Sequence, residues 1–139
     1  MKVFKILTHP VLLIISFLFI LISGEHLGGF YALYILLALP HGWLHSLLAL
    51  IGIIILILSY NVYKNKASGN ILNIAGAVML VFSIVTFFYA DKEGYNYGTF
   101  YQTMPIISLV LFGLLALLFI LKNVVESFSK KRLNTKVSY

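Results

Sequence analysis

Residues 27–61 read LGGFYALYILLALPHGWLHSLLALIGIIILILSYN, an apolar run broken once, at Pro40-His41-Gly42. As one straight helix rising 1.5 Å per residue it would be roughly 50 Å long, far more than a hydrocarbon core of about 30 Å. Pro40 lacks a backbone donor and clashes with the preceding turn, and Gly42 admits dihedrals that other residues avoid, so the break falls there. The run therefore divides into a crossing helix from about Trp43 to Asn61 and a half-helix, Leu27 to Leu39, which at about 20 Å is too short to cross alone.

Working outward, three further stretches approach the roughly 20 apolar residues a crossing needs: Ile6 to Ser23, Ile71 to Ala90 and Pro105 to Leu121. The composition agrees. Of 139 residues 61% are hydrophobic and 10% charged, and the mean hydropathy is +1.01. A water-soluble domain carries about 25% charged residues, so that class is excluded, as are a disordered chain and, with no cysteine, a disulfide scaffold. The expected fold is an all-α integral membrane protein with four transmembrane helices in residues 1–121, one re-entrant or interfacial half-helix on the outer side, and a basic cytoplasmic tail over 122–139.

Charge sets the orientation. Four crossings gather Lys2, Lys5, Lys64, Lys66, Lys122, Lys130, Lys131, Arg132 and Lys136 on one side and leave Lys92 alone on the other. A fifth crossing at Leu27 to Leu39 would move Lys2 and Lys5 to the side of Lys92. The positive-inside rule selects the four-crossing arrangement with both termini cytoplasmic. A cleavable signal peptide is the rival for the first segment, but Leu21 or Ile22 would then occupy a position that takes small residues. A bacterial cytoplasmic (inner) membrane is the expected location. The net charge of +6 thus has a topological cause, and with no soluble domain to present a basic groove a nucleic-acid partner is not expected.

Gly69, Gly76, Ser83 and Ala90 recur every seven residues, a stripe along which a neighbouring helix backbone can come close. This seam predicts packing within the bundle, against another membrane protein or against a second copy. Asn73, Thr86 and Ser108 are candidates for hydrogen bonds across helices or back to their own turn.

The outer side of this arrangement collects His26, His41, His45, Glu25, Asp91 and Glu93. If a helix begins by Pro40, His41 and His45 share a face and, with Glu25 and His26, have the donor types of a divalent metal site, zinc being the default where thiolates are absent. Asp91 and Glu93 are further candidates at that face. The plainer reading is that the two histidines satisfy carbonyls freed at Pro40 and, with Trp43, anchor the helix at headgroup level. His41-Gly-Trp-Leu-His45 lacks the glutamate of a zincin helix. Haem is disfavoured, because no second histidine pair lies across the membrane to carry electrons. Tyr89, Tyr95, Tyr97 and Tyr101 fit an interfacial aromatic belt or a surface over the histidine face.

No acidic or basic residue lies in mid-membrane to couple transport, and no nucleophile elbow is present. Two functions remain. One is a structural or accessory subunit of a membrane assembly; the other is a metal- or small-ligand-binding protein with its site at the outer face.

Overall fold

The structure, a computed structural model, describes residues 2–63 and 67–137, with side chains for residues 3–63 and 68–129. Lys64 and Lys66, and the side chains of Lys2, Lys130, Lys131, Arg132 and Lys136, lie outside the described residues, so the charge count is only partly placed. In chain order the elements are α1 (Lys2–Leu7), α2 (Pro10–Leu18), β1 (Leu21–Ser23), β2 (Gly28–Phe30), α3 (Tyr31–Ala38), α4 (Leu44–Val62), α5 (Ala67–Ala90) and α6 (Thr103–Val137). Short 3₁₀ turns lie at Leu39–His41 and Tyr97–Phe100.

The molecule is mostly helical, and among the described residues three helices are long and apolar enough to cross a membrane: Leu44–Val62, Ser68–Ala90 and Thr103–Ser129. Only 33%, 39% and 28% of their apolar windows is buried inside the molecule. Large side chains such as Ile54, Val85, Leu114 and Leu117 point outward, an arrangement compatible with lipid as the solvent. The break after the half-helix falls at Pro40 and Gly42: Gly42 takes a left-handed φ of 66°, Trp43 is extended, and α4 starts at Leu44. The last helix runs through Leu121 into the basic tail and ends at Val137.

The first segment departs from the single helix expected over Ile6 to Ser23. Pro10 has no N–H and holds the preceding residue extended, so the helix breaks at Thr8-His9, where the His9 ring accepts the Val11 N–H (3.3 Å). α2 is then only nine residues long. From Leu21 the backbone is a strand, because its partners come from elsewhere. β2 pairs antiparallel with β1 in the register Leu21↔Phe30, Ile22↔Gly29 and Ser23↔Gly28, and the Tyr31 N–H donates to the Ile20 carbonyl (2.7 Å). On the other edge the Leu21 N–H donates to Ser108 Oγ and the Ser23 N–H to Thr99 Oγ1, both at 2.9 Å. Buried backbone groups outside a helix need partners of this kind.

The half-helix is correspondingly shorter than the expected 27–39. Leu27 lies in the hairpin, Gly28 and Gly29 are poor helix formers taken by the strand, and the α-helical part is eight residues, Tyr31–Ala38.

α4 and α5 make the most extensive helix pair. They run antiparallel, with Ser59 Oγ donating to the Gly69 carbonyl (2.8 Å) at one end and Ser83 Oγ to the His45 carbonyl (2.7 Å) at the other. Between them Gly52 and Gly76 allow backbone contact: a Cβ on Gly76 would stand 3.1 Å from the Gly52 carbonyl oxygen, and one on Gly52 3.0 Å from that of Gly76. Gly69, Gly76 and Ser83 thus pack on α4, whereas Ala90 is exposed. α6 contributes the stripe Phe112, Ala116, Phe119 and Asn123, at helical spacing, and α2 lays Phe17 against Phe112 (ring centroids 5.5 Å) and Tyr31 (5.3 Å).

Candidate functional site

Polar chemistry collects at the two ends of the bundle. At the hairpin end, Asp91 follows α5 and its carboxylate accepts the N–H groups of Tyr95 (3.1 Å) and Asn96 (2.7 Å), with Gly94 supplying a left-handed φ of 76° in between. This closes the loop as an Asp-capped turn. The Glu25 N–H donates to the Tyr95 carbonyl (2.9 Å), and the His26 ring lies 4.8 Å from that of Tyr95. The Glu93 carboxylate hydrogen-bonds the Tyr95 phenol and raises its pKa above 10.0, with the Tyr95 group's own desolvation and the charges of Glu25 and Asp91 adding to the effect. Glu25, His26, Asp91 and Glu93 therefore each touch Tyr95, Glu25 and Asp91 at its backbone and His26 and Glu93 at its side chain.

The two remaining histidines are not part of that group. His41 is exposed in the 3₁₀ turn with its Nδ1 3.1 Å from the Leu37 carbonyl oxygen, one turn back along the chain. His45 sits in the first turn of α4, only 4% exposed, its ring among Phe87 (5.2 Å), Trp43 (5.9 Å) and Tyr31 (6.3 Å), and its Nε2 has no partner. The expectation that His41 and His45 share a helix face does not hold, because the left-handed Gly42 and extended Trp43 start the helix four residues after Pro40. Among the described residues no three His, Asp or Glu side chains stand together as a metal-ligand set. What this end offers is an ordered cap with a shallow hollow of about 400 Å³ between Trp43, Phe87, Asp91 and Tyr95. Tyr89, which ends α5 next to Ala90, and Tyr101, which follows the second 3₁₀ turn, are both exposed.

The opposite end holds a cleft of about 470 Å³ between α1, α4, α5 and α6. Its polar floor is a chain of amides. Asn123 Nδ2 donates to the Phe119 carbonyl and Asn73 Nδ2 to Asn123 Oδ1, each at 2.8 Å. Asn73 Oδ1 and the Nδ2 of Asn70 are buried with no partner among the described residues. Lys5, Lys122 and Glu126 stand at the rim, the last two 3.9 Å apart. The His9 ring packs on Tyr60 at 5.0 Å. Sequence reasoning read Asn73 as a helix contact and passed over Asn70 and Asn123; the available signal was three asparagines falling near the lysine-bearing ends of otherwise apolar helices.

The first segment links the two ends, with Thr8 and His9 at the asparagine cleft and Leu21 and Ser23 bonded to Ser108 and Thr99 beneath the hairpin cap. Comparison with known proteins finds no match among family models, curated proteins or solved structures.

Proposed function

We propose that this chain is a small accessory protein of a bacterial inner membrane, crossing it four times with both termini on the cytoplasmic side, and that its hairpin end meets another membrane protein. The observation that carries the reading is the hairpin cap: the Asp91 carboxylate, the Glu25 N–H and the Thr99 and Ser108 hydroxyls are engaged in holding loops and strands, while Tyr89 and Tyr101 (each 86% exposed), Met104 and Trp43 stand exposed at that end. Tyrosine, tryptophan and methionine are side chains enriched where proteins dock. The fourth crossing is the composite α1–α2–β1 segment, whose extent from the cleft to Ser108 supports a full traverse.

Photo-crosslinking from Tyr101 and Tyr89 in native membranes tests the role. A discrete adduct with a second polypeptide is expected; a chain that stays monomeric and forms no protein adduct contradicts it. The competing reading, a divalent metal at His41, His45, Glu25 and His26, requires stoichiometric metal that is lost in His41→Ala/His45→Ala. The accessory reading expects the same metal content in both proteins.

A further inference from the structure

The asparagine cleft is a built polar site that no part of the accessory role uses. Asn70 is 5% exposed, lines the cleft and has an amide donor with no acceptor, a costly state for a buried group. The orientation of Asn73 follows from its neighbours. Asn123 gives its Nδ2 to the Phe119 carbonyl, so its Oδ1 faces Asn73, which must answer with Nδ2 and is left with an unpaired acceptor. The cleft thus lacks one acceptor and one donor. Among the described residues its charged groups are Lys5 and Lys122 against Glu126, and Asn70 lies in the first turn of the 24-residue α5, the positive end of that helix.

We propose that this cleft binds a phosphate group that carries a hydroxyl. The phosphate oxygens take the Asn70 amide and the two lysines, and the hydroxyl donates to Asn73 Oδ1. The same chemistry is offered by a phosphatidylglycerol headgroup in the adjoining leaflet and by hydrogen phosphate in solution. The inference is independent of what docks at the hairpin end.

The full chain in a neutral detergent is titrated with phosphatidylglycerol, with phosphatidylcholine and, separately, with inorganic phosphate, bound species being counted by native mass spectrometry and heats by calorimetry. One phosphatidylglycerol is expected to be retained in preference to phosphatidylcholine. Asn70→Leu, close in size, removes a donor that has no partner among the described residues, so it should leave the melting temperature unchanged or higher while weakening binding about tenfold, the loss of one hydrogen bond to a charged group. Lys5→Gln/Lys122→Gln should weaken binding further, and Glu126→Gln, which removes only a half-exposed carboxylate, should tighten it several-fold. Retention of the lipid without competition from inorganic phosphate identifies the leaflet as the source. Binding of inorganic phosphate with the same dependence on the variants identifies the solution. Binding of neither, or lipid retention indifferent to Asn70→Leu and Glu126→Gln, overturns the proposal; should the double lysine variant fail to fold, those two decide it.

Discussion

Gly76 and Gly113 show how differently two glycines in apolar helices are used. A Cβ on Gly76 would stand 2.8 Å from Leu56 Cγ as well as against the Gly52 backbone, whereas one on Gly113 meets nothing within 4 Å. Gly76→Ala should therefore cost about 1–3 kcal/mol by forcing α4 and α5 apart, and Gly113→Ala should gain about 0.5–1 kcal/mol from helix propensity. Unfolding of the two variants in mixed micelles reads both signs. At Tyr95 the prediction is electrostatic. Glu93→Gln should bring the phenol's ionisation down toward 10.0, seen as phenolate absorbance in a difference titration against Tyr95→Phe. Because the folded state holds this proton more tightly than the unfolded chain, its stabilising effect is complete below the ordinary tyrosine pKa and is lost as pH rises through the raised value. Single residues were unevenly legible. The spacing of Gly69, Gly76 and Ser83 singles out residues of α5 that pack against α4, but the same spacing also selects the exposed Ala90, since periodicity does not say where a neighbouring helix ends. His41 and His45 are four apart in sequence and yet do not share a helix, because Gly42 and Trp43 form a linker between turn and helix.

At the scale of elements, the strand pair depends on side chains far along the chain. Ser108 Oγ takes the Leu21 N–H and itself donates to the Pro105 carbonyl (2.7 Å). Ser108→Ala leaves the Leu21 donor in a part-buried place with no acceptor and should cost about 1–3 kcal/mol. Faster hydrogen exchange at Leu21, with exchange in α4 unchanged, would localise the loss to the hairpin. This dependence explains which elements could be read in advance. α4, α5 and α6 are long apolar runs whose helical state is the only one lipid permits, so hydropathy and length find them to within a few residues at most ends. Leu21 to Ser23 is equally apolar, but its conformation is decided by Thr99, Ser108 and Gly28–Phe30. Hydropathy measures transfer to an apolar medium and carries no record of a partner some eighty residues away. The early end of α2 had one visible sign, Pro10, which marks where a helix starts and does not say how soon it stops.

For the molecule as a whole, the number of times the chain traverses the membrane decides on which side each end of the bundle lies. Three long helices alone would put the N-terminus on the same side as the hairpin cap. The composite first segment, running from the asparagine cleft to Ser108, would place it opposite. The chain contains no cysteine, so single cysteines can report sidedness without background. Val3, Lys92 and Ser129 are exposed at the start of the chain, in the loop after α5 and in the far part of α6. With Val3→Cys, Lys92→Cys and Ser129→Cys expressed separately, a membrane-impermeant maleimide should label Lys92→Cys in intact cells and the other two only after permeabilisation. Labelling of Val3→Cys together with Lys92→Cys in intact cells would mean that the first segment does not cross, and would contradict the four-crossing account.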